Sequence, residues 1–202
     1  NAYYELVIGV FMLLFGINFN LYYFLMIRRF RDVFHSEELR AYLGIVAAAV
    51  LAIAVDVAHL YDSFAVSLRR AFFQVSSIIT TTGFATVDFN TWPTFSKGIL
   101  MVLMFVGACA GSTGGGIKVA RMLILGKTAL SDMRKMLHPT AVSAVRFEGK
   151  PLADQTVRSV HVFITVYLMV FTVSFLLLCL EGFDLITTFS ALAACINNVG
   201  PG

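Results

Sequence analysis

Apolar positions along this chain fall into four long runs and two short ones. The long runs are Tyr4 to Ile27, Ala41 to Tyr61, about Gly98 to Leu125 and about Val160 to Leu180. Each has the roughly 20 residues that a membrane-spanning helix needs. The first is closed by the basic cluster Arg28-Arg29-Phe30-Arg31. The short runs, Phe64 to Ile79 and Phe183 to Ile196, suit re-entrant helices that enter a membrane and turn back. Each ends on a polar, glycine-bearing segment: Thr80-Thr81-Thr82-Gly83-Phe84 and Asn197-Asn198-Val199-Gly200-Pro201-Gly202. The order span, short helix, loop, span, and then span, short helix, loop, predicts an all-α integral membrane protein of repeated units. Residues 1–27 are expected to be the inner helix of a preceding unit and 28–40 a link. Residues 41–126 would form one complete unit, 127–159 a basic link, and 160–202 a second unit up to its loop.

Composition agrees. Hydrophobic residues make up 58% of the chain and charged residues 13%, against about 45–50% and 25% in soluble domains. The net charge of +3 matters through its placement. Arg28, Arg29, Arg31 and Arg40 exceed Asp32, Glu37 and Glu38. Arg121, Lys127, Arg134, Lys135, Arg146, Lys150 and Arg158 exceed Asp132, Glu148 and Asp154. Both basic segments fall on one side of the topology, which the positive-inside rule makes cytoplasmic. Arg69 and Arg70 run against the rule on the other side. Cys109, Cys179 and Cys195 are far apart, so neither a disulfide framework nor a zinc site is expected. A loop that lines a path needs a following helix, so the chain is expected to be an internal piece of a longer protein.

Irregular backbone at membrane depth is tolerated where it lines water or is buried in protein. Gly83, without a Cβ, can turn a carbonyl toward an axis, and the preceding threonines add hydroxyl oxygens suited to a hard cation. Gly200 occupies the equivalent place in the second loop. Rings of such carbonyls replace the hydration shell of a cation in potassium channels. The plainer reading of each loop is a helix C-cap. Two loops in matched positions, each after a short apolar helix, favour the path.

Gly107 to Lys118 contains Gly111-Ser112-Thr113-Gly114-Gly115-Gly116 and superficially suggests a phosphate loop. Ile117 follows Gly116, Lys118 comes one residue late and Val119 replaces the hydroxyl residue, so that motif fails. Glycine costs about 1 kcal/mol relative to alanine in a helix, so three in a row predict local unwinding and a barrier beneath the loops. Close helix packing through small residues is the alternative. Lys118 reads as a gate charge, a cation-repelling latch or a snorkelling side chain. Asp56 and His59, three residues apart near the outer end of a span, suit a pH sensor or a cation attractor, but the commoner expectation is that they pair with each other or with Arg69 or Arg70. Met101, Met104 and Met122 read as packing, and Trp92 and Tyr61 suit a membrane boundary.

Taken together, Thr80 to Thr86, Ala110 to Val119 and Cys195 to Gly202, with Gly16-Ile17-Asn18-Phe19-Asn20 and Ser36-Glu37-Glu38-Leu39-Arg40, resemble the Trk/Ktr/HKT superfamily of potassium transporters, in its TrkH-type branch. The resemblance covers essentially the whole chain. It implies four M1-P-M2 repeats around one pore. K⁺ would meet Thr81, Thr82, Asn198 and Val199, in filter loops that also hold Gly83, Phe84, Gly200 and Pro201. It makes Gly111, Ser112, Thr113, Gly114, Gly115, Gly116 and Lys118 an intramembrane gating loop in the third M2. It also implies a homodimer in lipid of the bacterial inner membrane and a cytoplasmic nucleotide-binding regulatory subunit, with the basic link as one candidate contact. No organic cofactor or nucleic acid is expected, and proton-coupled symport and passive conduction stay open. Two filters and the final M2 of the family pattern are absent, so the chain alone is not expected to conduct. A rival reading is a secondary transporter of a small solute with its site at broken helices. An enzyme ranks third, because no nucleophile–base pair, metal cluster or nucleotide motif stands out.

Overall fold

Helix starts are written into the sequence as caps. Ser36 Oγ accepts the Leu39 N–H at 3.2 Å and opens α4, Glu37–Asp56. Its 20 residues reach about 30 Å at 1.5 Å per residue, the thickness of a bilayer core. Ser63 caps α5, Phe64–Ile79, and Asp184 caps α9, Leu185–Ile196, both through side-chain oxygens on backbone N–H groups. A computed structural model describes residues 2–137 and 145–200. The remaining helices are α1 (Ala2–Phe15), α2 (Phe19–Met26), α3 (Phe30–His35), α6 (Thr94–Val106), α7 (Val119–Leu137) and α8 (Asp154–Leu178). A hairpin of β1 (Arg146–Phe147) and β2 (Lys150–Pro151) turns through Glu148 and Gly149, both at positive φ. That is the twist a tight hairpin turn requires.

The core lies where α4, α5 and α6 meet α1. Tyr42, Ile53, Val57, Ile78 and Ile79 are buried there, with Leu100 against them. An aromatic cluster fastens α9 and α8 to α6: Phe105, Phe171 and Phe189 sit with ring centroids 5.3–6.1 Å apart. Both long helices, α4 and α8, are apolar enough to cross a membrane, but almost half of the apolar window of α4 is buried and none of that of α8.

Three expectations are corrected. The run Tyr4 to Ile27 is not one straight span; α1 and α2 meet at 92°. Gly16 leaves no space for a Cβ beside Tyr42 and Thr80, and Asn18 caps α2 by accepting the Asn20 N–H at 2.9 Å. The bend also supplies backbone partners to a distant loop, described below. Second, the basic link is shorter than 127–159, because α7 continues as a helix to Leu137 and α8 begins at Asp154. Third, Asp56 pairs with neither His59 nor the arginines. It accepts the Ser96 N–H and Oγ–H at 3.2 and 2.6 Å, while Arg69 Nε lies 2.9 Å from Glu5 and Arg70 stacks on the Tyr61 ring. Trp92 is buried, its Nε1–H bonded to Tyr61 Oη at 2.9 Å.

Candidate functional site

The two short helices end in the same hydrogen-bond frame. After α5, the N–H groups of Thr80, Thr81 and Thr82 donate to the carbonyls of Ser76, Ile78 and Ser77. After α9, those of Asn197, Asn198 and Val199 donate to Ala193, Cys195 and Ala194. Thr81 and Asn198 are left-handed, at φ 54° and 57°, as the C′ residue of a helix-capping motif is. The cap reading therefore describes the local geometry, but Thr81 and Asn198 make the caps and glycine does not. Gly83 and Gly200 follow two residues later at φ 79° and 103°. A Cβ built on Gly200 would lie 3.7 Å from Gly83 Cα, so the two loops meet.

Side chains extend the match one residue upstream. Thr80 Oγ1–H donates to Ser76 O at 2.6 Å, and Asn197 Nδ2–H donates to Ala193 O at 2.8 Å. Thr80 also shares a hydrogen bond with Thr82 Oγ1 at 2.8 Å, whereas Tyr167 Oη–H donates to Asn197 Oδ1 at 2.9 Å. Phe84 is exposed; Val199 is buried. Phe84, Thr80 and Thr82 face a cavity of about 460 Å³ toward Phe11 and Phe15 of α1, with Thr113 at its edge. Pro201 and Gly202 lie outside the described residues.

Between α6 and α7 the backbone leaves the helix for 107–118. Polar groups of this segment are satisfied by distant elements, as burial demands. Cys109 N–H donates to Gly16 O at 3.0 Å and Phe19 N–H to Gly111 O at 3.2 Å, so the bend between α1 and α2 is matched to it. Ser112 Oγ–H bonds Cys109 O at 2.5 Å, and Thr113 Oγ1–H reaches Phe15 O at 3.4 Å. Gly115 N–H donates to Thr81 Oγ1 at 2.6 Å. A Cβ at Gly115 would collide with Asn197 O, one at Gly114 would come within 3.1 Å of Thr80 O, and one at Gly116 within 3.0 Å of Gly107 Cα. The segment thus wedges beneath both loops through backbone alone. Lys118, at φ 80°, folds its ammonium back onto Gly114 O and lies 3.4 Å from Ser112 Oγ. It latches its own loop rather than reaching away to an interface.

Thr80, Asn197, Asn18 and Glu38 stand within the motifs quoted above but were given no role of their own in the site, although all touch it. Asn18 carried a usable signal as an N-cap residue inside an apolar run.

Span, re-entrant helix and loop, twice over, with a broken helix beneath the paired loops, define a membrane protein of repeated helix–loop–helix units. The pattern of the TrkH family, described as a cation transport protein, matches residues 41–202. The chain is 35% identical over 199 residues to the Trk system potassium uptake protein TrkH of Salmonella typhimurium, covering 97% of this chain and 41% of that protein. To the Trk system potassium uptake protein TrkG of Escherichia coli it is 39% identical over 206 aligned positions, covering 100% of this chain and 42% of the other. The crystal structure of the potassium transporter TrkH from Vibrio parahaemolyticus superposes with a TM-score of 0.91 at 35% identity, covering 100% of this chain and 44% of that one. The chain belongs to the TrkH family of cation transport proteins, and it spans about two fifths of the length of these relatives.

Proposed function

We propose that this chain is part of a potassium uptake protein of the bacterial inner membrane, in which the two loops face one ion path and the 107–118 segment closes it. Thr81, Thr82, Asn198 and Val199 would offer oxygens to K⁺, with Gly83, Phe84, Gly200 and Pro201 completing the two loops. Gly111, Ser112, Thr113, Gly114, Gly115, Gly116 and Lys118 would form the barrier below. The observation that carries this reading is Gly115. Its N–H bonds Thr81 Oγ1, its Cα faces Asn197 O, and only a residue without a side chain fits. Named potassium uptake proteins among the relatives support the choice of ion. The reading extends to a homodimer, and to a cytoplasmic nucleotide-binding subunit that docks near the basic link.

Rb⁺, K⁺ and Na⁺ flux through the full-length protein in liposomes tests it. Gly83→Ser adds a Cβ where the backbone is left-handed and is expected to weaken K⁺ over Na⁺ discrimination. Deleting Ser112–Gly116 is expected to raise basal flux roughly tenfold, within the usual range of a conformational coupling, with cation preference retained. A folded Gly83→Ser protein of unchanged selectivity would remove the filter assignment. A folded deletion protein with wild-type flux would remove the gate.

A further inference from the structure

We propose that Glu38 is the positioning residue that clamps the 107–118 segment shut, and that the hairpin at 146–151 holds Glu38 in place. The proposal rests on the gate reading above. Glu38 sits in the first turn of α4 and is only 5% exposed. One carboxylate oxygen accepts the Ala110 N–H at 2.5 Å. The Asn18 side chain and the backbone of Ala120 also lie close to the same carboxylate. Ala110 enters the irregular segment and Ala120 lies just beyond its exit, so one side chain gathers both ends of the loop. Through Asn18 it also gathers the bend whose backbone pairs with Cys109 and Gly111.

The chemistry suits a clamp. A buried carboxylate is tolerated only when it is well paired, and hydrogen bonds to an ionised acceptor are the stronger kind. Ala120 belongs to the first turn of α7, where N–H groups lack helical partners and negative charge is favoured. Removing the carboxylate would therefore free the Ala110 N–H and take the polar group from beside Asn18 and Ala120 as well.

The other half of the device is the hairpin. Glu148, at its turn, accepts the Ser36 Oγ–H at 2.9 Å and the backbone N–H of Glu38 itself at 3.2 Å. Glu148 thus acts as a borrowed cap for α4, supplied from 110 residues away in sequence. Lys127 fixes the same corner by pairing with Glu37 and donating to Arg146 O at 2.9 Å. Lifting the hairpin would strip the first turn of α4 and let the Glu38 carboxylate leave Ala110. Movement at the link is thereby transmitted to the loop through one residue.

The test is basal Rb⁺ flux through the full-length protein in liposomes, with folding checked by monodispersity. Glu38→Leu is expected to raise flux about tenfold, the scale set by losing a hydrogen bond to a charged group, with K⁺ over Na⁺ preference unchanged. Glu38→Gln keeps an acceptor oxygen for Ala110 and is expected to restore most of the closure, within about threefold of wild type. Glu148→Ala is expected to raise flux about two- to threefold. Combining Glu38→Leu with deletion of Ser112–Gly116 is expected to add nothing to the deletion alone. A folded Glu38→Leu protein at wild-type flux, beside a deletion that leaks, overturns the clamp and leaves the gate standing. A deletion without effect removes the gate and the clamp with it. If Glu38→Leu does not accumulate, Glu148→Ala decides: wild-type flux in that variant overturns the proposal.

Discussion

The unit ending at Thr80–Gly83 and the unit ending at Asn197–Gly200 share a hydrogen-bond frame but hold it by different means. α5 is buried along much of its length and surrounded by α1, α4 and α6. α9 is shorter and rests on α8 and α6 through Phe189 and its neighbours. Their left-handed residues differ in a way that explains the rest. Asn visits that conformation readily, whereas a β-branched residue there is strained. Thr81 is accordingly held from outside, by the Gly115 N–H on its hydroxyl. The second loop is instead held one residue earlier, by Tyr167 on Asn197. Burial of the helix does not set the shape of the loop. The capping frame and one well-aimed hydrogen bond do.

The sharpest way to break this comparison is to separate the two units. Gly115→Val inserts a branched side chain where even a Cβ meets Asn197 O. It is expected to cost more than about 3 kcal/mol, as overpacking of a site with no room does. Thermal melting of the purified protein checks this, and a variant that melts like wild type would mean that the segment does not wedge the loops.

A smaller effect is expected from Asn198→Thr, which puts a β-branched residue at φ 57° without the outside hydrogen bond that Thr81 enjoys. A loss of about 1–2 kcal/mol follows from the left-handed penalty. Thr81→Asn relieves strain but removes the hydroxyl, so its loss should be smaller than that of Asn198→Thr. The reverse order in denaturation midpoints would sink the account of how each loop is held.

Smallest of all, Tyr167→Phe leaves Asn197 Oδ1 without its 2.9 Å donor and is expected to cost about 1 kcal/mol. Hydrogen exchange should report faster opening in α9 alone. Equal loosening of α5 would show that the units are coupled more tightly than their contacts indicate.

How much of this was legible in the chain depends on sequence distance. The bounds of α5 are those expected, because Ser63 and Thr80 bracket a single apolar run. The break over 107–118 follows from Gly114-Gly115-Gly116, whose cost is local. The bend at Gly16–Asn18 was hidden by apolar residues on both sides, and its reason lies in backbone partners at 109–111. The bond between Asp56 and Ser96 spans 40 residues, beyond the reach of any helical spacing. Glu37 and Glu38 read as a pair of link charges, yet one is an ion-pair partner of Lys127 and the other is buried against Ala110. Likewise Lys127, Arg134 and Lys135 gave no sign that α7 runs on to Leu137.

The wedge at Gly115 has a consequence for how the molecule is made. Its contact residue Asn197 is synthesised well after Gly115. Synthesis runs at about 5–20 residues per second, so for some seconds the earlier half of the site exists without the later one. Throughout that interval the 107–118 backbone has Gly16, Phe19, Glu38 and Thr81 to hold it, but not yet the Asn197 side of the wedge. The bend between α1 and α2 therefore serves the nascent protein as a temporary jig. Variants that weaken it are expected to lose yield during biogenesis even where the finished protein, once assembled, survives.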